Sequence, residues 1–328
     1  MASSPIFIPH DTLQSFLSYA SLIDHLQASL PFISSTIQSP LRQIHSISPS
    51  SSLLLMPSWS SSPSLPYIGV KLVTYFSHNS ALGLPGVQAN YTLFSSSNGQ
   101  HIASIDGTLL TLYRTSCVSA LASKLLSKED SKVLLMVGAG SLAPHLIRAH
   151  ITARPSIKRV LIWNRTVRKA EEMVEDFRVS DLAVDFESCA ELDGAVSIAD
   201  IVSCATNSEA PLVKGEIMKA GAHLDLVGSF KETMMECDDE AVRRGIVVVD
   251  DPAAMVEAGE IVGAIGRGVI EKDGVLLLKE VIVGGNPITR GDKDITVFKT
   301  VGSAAVDLLA AQLVYENYIK NLKFSVNT

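Results

Sequence analysis

The apolar positions of this chain change period near residue 116. Before it, apolar residues come in short runs that suit strands, at 67–75, 91–94 and 101–105, the last two separated by Ser, Asn and Gly. The Ser/Pro cluster from Ser46 to Ser64 predicts a surface loop, interrupted by Leu53-Leu54-Leu55-Met56. After the change, Val118, Leu121, Ala122, Leu125 and Leu126 recur at i, i+3, i+4, i+7 and i+8, one face of a helix over 116–128. From there to about residue 250, strands and helices alternate. Strands are predicted at 133–137, 160–163, 183–186, 201–205, 223–227 and 246–250, with helices between most of them. One of these, over 167–177, has Thr166 placed as its N-cap. A last helix over 304–321 carries Val306, Leu309, Leu313 and Val314 on one side.

The early strands predict an antiparallel sheet, and the alternation after residue 116 predicts a parallel sheet with helices on its faces. The whole is an α/β chain in which a parallel-sheet domain, 116–300, is inserted into an α+β domain made of 1–115 plus 301–328. No repeat of 20–50 residues is present.

Composition narrows the function classes. The chain has 328 residues, 47% of them hydrophobic and 19% charged, with a formal net charge of −7, which supports a buried core and not a disordered chain. An acidic chain without a Lys/Arg block is a poor nucleic-acid binder. The apolar runs fall well short of the roughly 18 residues of a membrane span. The first basic residue is Arg42, so the N-terminus reads as neither a secretory signal nor a transit peptide. The cysteines at 117, 189, 204 and 237 form no Cys-x-x-Cys pair and fit a reduced compartment. The histidines show no metal-ligand spacing, so no metal is expected. The picture is a soluble intracellular protein of about two domains.

The strongest local signal for chemistry is the run Leu134–Val137 entering Gly138-Ala139-Gly140-Ser141-Leu142-Ala143, followed by an apolar helix. Gly138 permits a tight turn, Gly140 lets the backbone approach a pyrophosphate, and Ala143 allows close helix–strand packing. The helix N-terminus supplies free N–H groups and a positive dipole end. The next strand ends at Asn164-Arg165-Thr166, where NAD enzymes place an acid to accept from the ribose 2′-OH. An amide, a guanidinium and a hydroxyl suit a 2′-phosphate instead, with Lys169 one helical turn on. NADPH is therefore expected ahead of NADH.

With these residues in view, the chain resembles the ornithine cyclodeaminase/mu-crystallin family over nearly its whole length. The resemblance rests on Arg42 in Pro40-Leu41-Arg42, on Leu55-Met56-Pro57 and on Gly69-Val70-Lys71. It continues through Leu109–Thr115, the Gly138–Ala143 loop, Trp163–Thr166, Cys204-Ala205-Thr206, Val227-Gly228-Ser229 and 295–302. Residues 52–60 and 69–76 are similar, more narrowly, to plant members that reduce a cyclic ketimine to pipecolic acid. The resemblance implies a Rossmann-type dinucleotide-binding domain inserted into a substrate domain that also forms a homodimer interface, through strands of 1–115 and the C-terminal helix. It implies an active site between the two domains. It adds Cys204, Ala205, Thr206, Val227, Ser229 and Gly302 to the cofactor contacts.

The reaction so implied is NADPH-dependent reduction of Δ1-piperideine-2-carboxylate to pipecolate. Arg42 and Arg114 clamp the substrate carboxylate, and Lys71 hydrogen-bonds near the carboxylate or the reacting nitrogen. The proton donor stays open between Lys71 and water, with Glu257 aligned to a family acid near the pocket. Cyclodeaminases carry an Asp two residues after the Val-Gly pair; here Phe230 stands there, and an apolar wall favours a reductase over a deaminating lyase. Two other functions compete: an ornithine cyclodeaminase-type lyase, and a non-catalytic NADPH- and ligand-binding protein like mu-crystallin. The resemblance to plant members in lysine-derived pipecolate metabolism and plant defence (systemic acquired resistance) points to the plastid, with the cytoplasm otherwise. Family-like sequence begins at about Ile6, leaving little room for a transit peptide.

Overall fold

A computed structural model describes residues 4–284 and 294–326. The chain forms two compact units. The first holds the chain up to Arg114 and from Ser303 on, and the second holds Thr115–Gly302.

The first unit is built on a six-stranded sheet of β1 (Ile6–Ile8), β2 (Gln43–Ser48), β3 (Ser51–Trp59), β4 (Tyr67–Phe76), β5 (Val87–Ser95) and β6 (His101–Asp106). Its spatial order is β1-β6-β5-β4-β3-β2, antiparallel except where β1 runs parallel to β6. The Ser/Pro cluster expected to contain a surface loop does so at 60–66, between β3 and β4, but its earlier part forms the β2–β3 hairpin. Its serines sit in strand pairing, with Ser52 opposite both Ser46 and Tyr75, because backbone ladder bonds do not depend on side-chain hydropathy. Helices His10–Phe16 and Tyr19–Ser29, which the strand-rich composition concealed, join the last helix, Ala304–Val326, in this unit.

That last helix packs against β3, β4 and Tyr19–Ser29. It is held by hydrogen bonds as well: Ser58 Oγ donates to Ala304 O at 2.7 Å, Gln312 Nε2 to Ser64 O at 3.1 Å, and Asn317 Nδ2 to Phe16 O at 3.1 Å.

The helix Gly107–Leu126 starts nine residues before the predicted 116. Asp106 supplies the reason, since its Oδ1 accepts from the N–H of Leu109 at 2.7 Å and caps the first turn. Gly107 is needed there because an added Cβ would sit 2.8 Å from the Asn90 backbone. Arg114 thus lies inside a helix rather than at a strand-to-helix junction.

The second unit is an eight-stranded, all-parallel sheet: β7 (Val133–Val137), β8 (Arg159–Trp163), β9 (Asp185–Ser188), β10 (Ile201–Cys204), β11 (His223–Leu226), β12 (Gly245–Val249), β13 (Leu276–Leu277) and β14 (Ile295–Lys299). The order is β13-β12-β14-β11-β10-β7-β8-β9, with parallel pairing throughout. Both faces are covered. Leu135 and Val137 belong to one apolar cluster, Leu134 and Met136 to the other, which is why β7 reads as an unbroken apolar run. This is the α/β, Rossmann-type architecture, and the strand expected at 183–186 forms two residues later.

Two acids of this unit are structural. Asp225, inside the central β11, accepts from Ser203 Oγ at 2.7 Å and lies 3.2 Å from His150 Nε2. Asp250 accepts from Thr300 Oγ1 and from the N–H groups of Val301 and Gly302 at 2.5–3.2 Å.

The C-terminal end of Gly107–Leu126 is capped by a buried guanidinium. Arg154 donates to Ser127 Oγ at 2.8 Å and to the carbonyls of Ser123, Lys124 and Ser127 at 2.5–3.2 Å. Arg154→Met should therefore lower stability by about 2–4 kcal/mol, read as a drop in denaturation midpoint, because it leaves helix carbonyls buried without donors. An unchanged midpoint would show that water replaces the guanidinium.

Candidate functional site

The second unit builds its site from the ends of parallel strands. β7 runs into Gly138, whose φ of +110° belongs to the region that favours glycine. A Cβ there would also meet Ala205 O at 2.6 Å. Gly140 is different: it is exposed, and an added Cβ would meet nothing within 4 Å. Open space lies in front of that backbone, as a pyrophosphate approach requires. Ser141 is exposed beside it, Leu142 is half-buried at the N-cap position, and Ala143 is buried where the helix Ala143–Ala153 begins. These positions fit a dinucleotide, with the loop and helix N-terminus at the pyrophosphate.

Asn164 ties this loop to β8. Its Oδ1 accepts from the N–H of Ala139 at 3.1 Å, and its Nδ2 donates to Thr166 O at 2.9 Å. Arg165, Thr166 and Lys169 are exposed. Thr166 stands at the N-cap position of Val167–Arg178, but its side chain makes no capping bond, contrary to the sequence reading. Its backbone is extended, with φ −95° and ψ 98°.

The loops after β10 and β11 are held by two buried glutamates that spacing did not reveal. Glu236 accepts from the N–H and Oγ1 of Thr206 at 2.7 and 2.8 Å, and from the N–H of Gly228 at 2.7 Å. Burial raises its carboxyl above the usual range, with Lys299 opposing that shift. Glu260 accepts from Ser229 Oγ at 2.5 Å and lies 3.3 Å from Lys299 Nζ. The Ser229 hydroxyl is thus turned inward, and the Cys204 side chain is buried in the core. Both can meet a cofactor only through the backbone; the hydroxyl and thiol face the wrong way. Ala205, Thr206 and Val227 are half-buried, and Gly302 spends its N–H on Asp250. Phe230 and Glu257 are half-buried, with Lys231 Nζ 5.5 Å from the Phe230 ring centroid.

The first unit gathers the predicted cations. Lys71 projects from the middle of β4, opposite Tyr91 on β5. Gly69, two residues earlier on the same face, makes room for the Tyr91 phenol, since a Cβ there would lie 1.9 Å from its oxygen. Lys71 is 2% exposed and Arg114 6%. Both converge on Asp307, which is fully buried in the C-terminal helix. Lys71 Nζ lies 3.0 and 2.8 Å from its two carboxylate oxygens, and Arg114 Nε lies 2.8 Å from Oδ1. Arg42, half-buried just before β2, is close enough to act on Lys71 through its charge.

The electrostatics follow from this crowding. Burial, then Arg114, pull the Lys71 pKa down to about 8, against the attraction of Asp307. Burial disfavours the Asp307 anion, but Arg114 and Lys71 outweigh it and hold its pKa below the ordinary value. Asp307 is the residue the sequence reading missed. A signal was present: a lone acid within the otherwise apolar stretch Ala304–Ala311 has to be paired if that helix is buried on all sides.

The chain is similar to known proteins over nearly its whole length. The chain is 56% identical to Protein SAR DEFICIENT 4 of Arabidopsis thaliana over 322 residues, covering 97% of this chain and 99% of that one. It is 35% identical to a Δ1-pyrroline-2-carboxylate reductase of Colwellia psychrerythraea, covering 92% and 95%. Among solved structures, Thermococcus litoralis Δ1-pyrroline-2-carboxylate reductase in complex with NADH and L-proline matches with a TM-score of 0.90 and 28% identity, over 96% and 98% of the two chains. The profile of the ornithine cyclodeaminase/mu-crystallin family matches residues 9–321, and the chain belongs to that family.

Proposed function

We propose that the protein reduces Δ1-piperideine-2-carboxylate to pipecolate with NADPH. The coarser part of this reading comes with the family: the chain is an NAD(P)H-dependent oxidoreductase acting on a C=N bond. The observation that supports a carboxylate substrate is the buried cluster of Lys71 and Arg114 on Asp307, with Arg42 alongside. Three cations against one anion leave a net positive site that suits a small carboxylate. A relative with the same fold holds L-proline, a cyclic amino acid one methylene smaller than pipecolate.

Arg42 and Arg114 bind and orient the carboxylate through guanidinium N–H groups. A dinucleotide bound at the Gly138–Ala143 loop supplies the hydride for the imine carbon. Lys71 supplies the proton for the ring nitrogen, leaves as the amine and recovers its proton from solvent. Phe230, in place of the cyclodeaminase acid, leaves no carboxylate there to handle an amine. The direct test is NADPH oxidation against a panel of cyclic imine carboxylates of five- and six-membered rings. No turnover with any of them would overturn the reading.

The carboxylate clamp gives an expected pattern in steady-state kinetics. Arg114→Ala should cost about 2–5 kcal/mol of substrate binding, seen as a raised KM with NADPH affinity little changed. Lys71→Ala should act mainly on kcat. Arg42→Lys should restore only part of the loss of Arg42→Ala, because an ammonium lacks the planar fork. Near-wild-type kinetics in all variants would sink the clamp.

Cofactor choice rests on the end of β8, where exposed Arg165 and Lys169 offer positive charge and no acid stands. NADPH should bind more tightly than NADH in a titration, and Arg165→Asp should reverse the order; equal affinity of the wild type for both would refute this.

The assembly is proposed as a homodimer through the first unit. β2 forms one edge of its sheet and exposes Ile44 and Ile47, 61% and 59% accessible, beside Leu41 at 68%. An apolar edge strand of this kind calls for cover. Light scattering should give twice the chain mass of 35.1 kDa, and Ile44→Lys should shift it toward the monomer.

A further inference from the structure

The buried carboxylate of Asp307 has no role in the mechanism above, yet its two oxygens are shared between the two site cations. Lys71 Nζ reaches both, at 3.0 and 2.8 Å, and Arg114 Nε reaches Oδ1 at 2.8 Å. We propose that Asp307 is a positioning residue for the reduction: by bridging Lys71 and Arg114 it keeps Lys71 an ammonium, aimed and ready to give its proton to the ring nitrogen. The inference rests on the reading that Lys71 is the proton donor.

The charges around Lys71 come from every side. Arg114 stands on the helix Gly107–Leu126, Arg42 on the segment before β2, Asp307 on the C-terminal helix, and Tyr91 on the neighbouring strand. Tyr91 is a neutral phenol at working pH, since burial and the Asp307 charge raise it well above its ordinary value. Burial and both arginines favour the neutral amine of Lys71; of these neighbours Asp307 alone favours the ammonium. Without that carboxylate, two full cations would face a third in a dry site, and the cheapest response is for the lysine to lose its proton. A neutral amine can neither donate the proton nor attract the substrate carboxylate.

The geometry also limits where Lys71 can point. An unpaired lysine has rotatable bonds along its stem, whereas one held by a buried carboxylate is fixed. Asp307 is itself fixed, because its helix is pinned at its first residue by Ser58 Oγ donating to Ala304 O at 2.7 Å. The proton path starts from a defined atom. The bond broken is Nζ–H, the bond formed is N–H on the substrate ring, and the lone pair left on Nζ takes up a proton from solvent before the next turnover.

The experiment titrates Lys71 in the full-length chain by NMR of 13Cε-labelled lysine, with Lys71→Arg identifying the resonance. It is done in wild type, Asp307→Asn and Asp307→Glu, beside profiles of kcat/KM against pH. In the wild type the ammonium is lost as pH rises through about 8, so kcat/KM should fall there, and the Lys71→Arg profile should lack that limb. Asp307→Asn should lower both the Lys71 titration and the alkaline limb by about 1–3 pH units, and Asp307→Glu should restore most of each. An unmoved Lys71 titration in folded Asp307→Asn overturns the proposal. Should that variant not fold, an Asp307→Glu chain whose limb moves while its Lys71 titration stays put does the same. A merely structural Asp307 would change the melting temperature and leave both pH readouts unmoved. If the wild type reduces no cyclic imine carboxylate, the functional reading falls. An Asp307-dependent Lys71 titration in that case would show the failure to lie in the chosen substrate and not in the ion pair.

Discussion

Charge taken out of water must be paired, and in this chain the pairing of Asp307 with Lys71 and Arg114 constrains everything in the first unit. The three side chains come from a helix at the end of the chain, a central strand and the helix that leaves the unit. None can be buried alone: an isolated ion in a low-dielectric interior costs far more than a single domain's net stability allows. Their burial therefore requires the C-terminal helix to return to β3 and β4, which is where it packs. The same crowding explains Gly69, whose missing side chain leaves room for the Tyr91 phenol.

The second unit solves a related problem with backbone. Helices cover both faces of the parallel sheet, and the loops at its strand ends bond their N–H groups within the chain or leave them open to solvent and ligands. After β10 and β11 they are satisfied, by Glu236 at Thr206 and Gly228. After β7 the loop is tied to the end of β8 by the Gly138 N–H on Trp163 O at 2.8 Å and the Ala139 N–H on Asn164 Oδ1, while Gly140 and Ser141 remain exposed. One unit thus offers fixed side-chain cations and the other free backbone donors. These are the two kinds of anion recognition that a carboxylate substrate and a dinucleotide call for.

The buried glutamates add a cost that the fold accepts. Lys299 is a buried cation that acts on Glu236 and lies 3.3 Å from Glu260, and burial raises the Glu236 carboxyl against that opposing charge. What they hold are the loops after β10 and β11, and groups that order a loop while straining their own ionisation are characteristic of functional sites.

The sequence by itself determined the parallel sheet, because a strand buried on both faces has to be apolar throughout and β7 is. It determined the Gly138–Ala143 turn, because a positive φ and an open backbone each demand glycine. Lys71, Arg42 and Arg114 are scattered in sequence and were singled out only through the family resemblance. The β2–β3 hairpin was not legible in the sequence, since Ser-rich strands carry no apolar alternation and are held by ladder bonds and by neighbours distant in sequence. The early start of the helix Gly107–Leu126 was masked in the same way, by an apolar run that suits a strand until Asp106 caps it. Asp307 and Glu236 were decided only by the tertiary structure. A lone acid in an apolar helix states that a partner must exist, but which partner depends on which strand lies opposite. That is set by packing across the whole chain, and no local spacing encodes it.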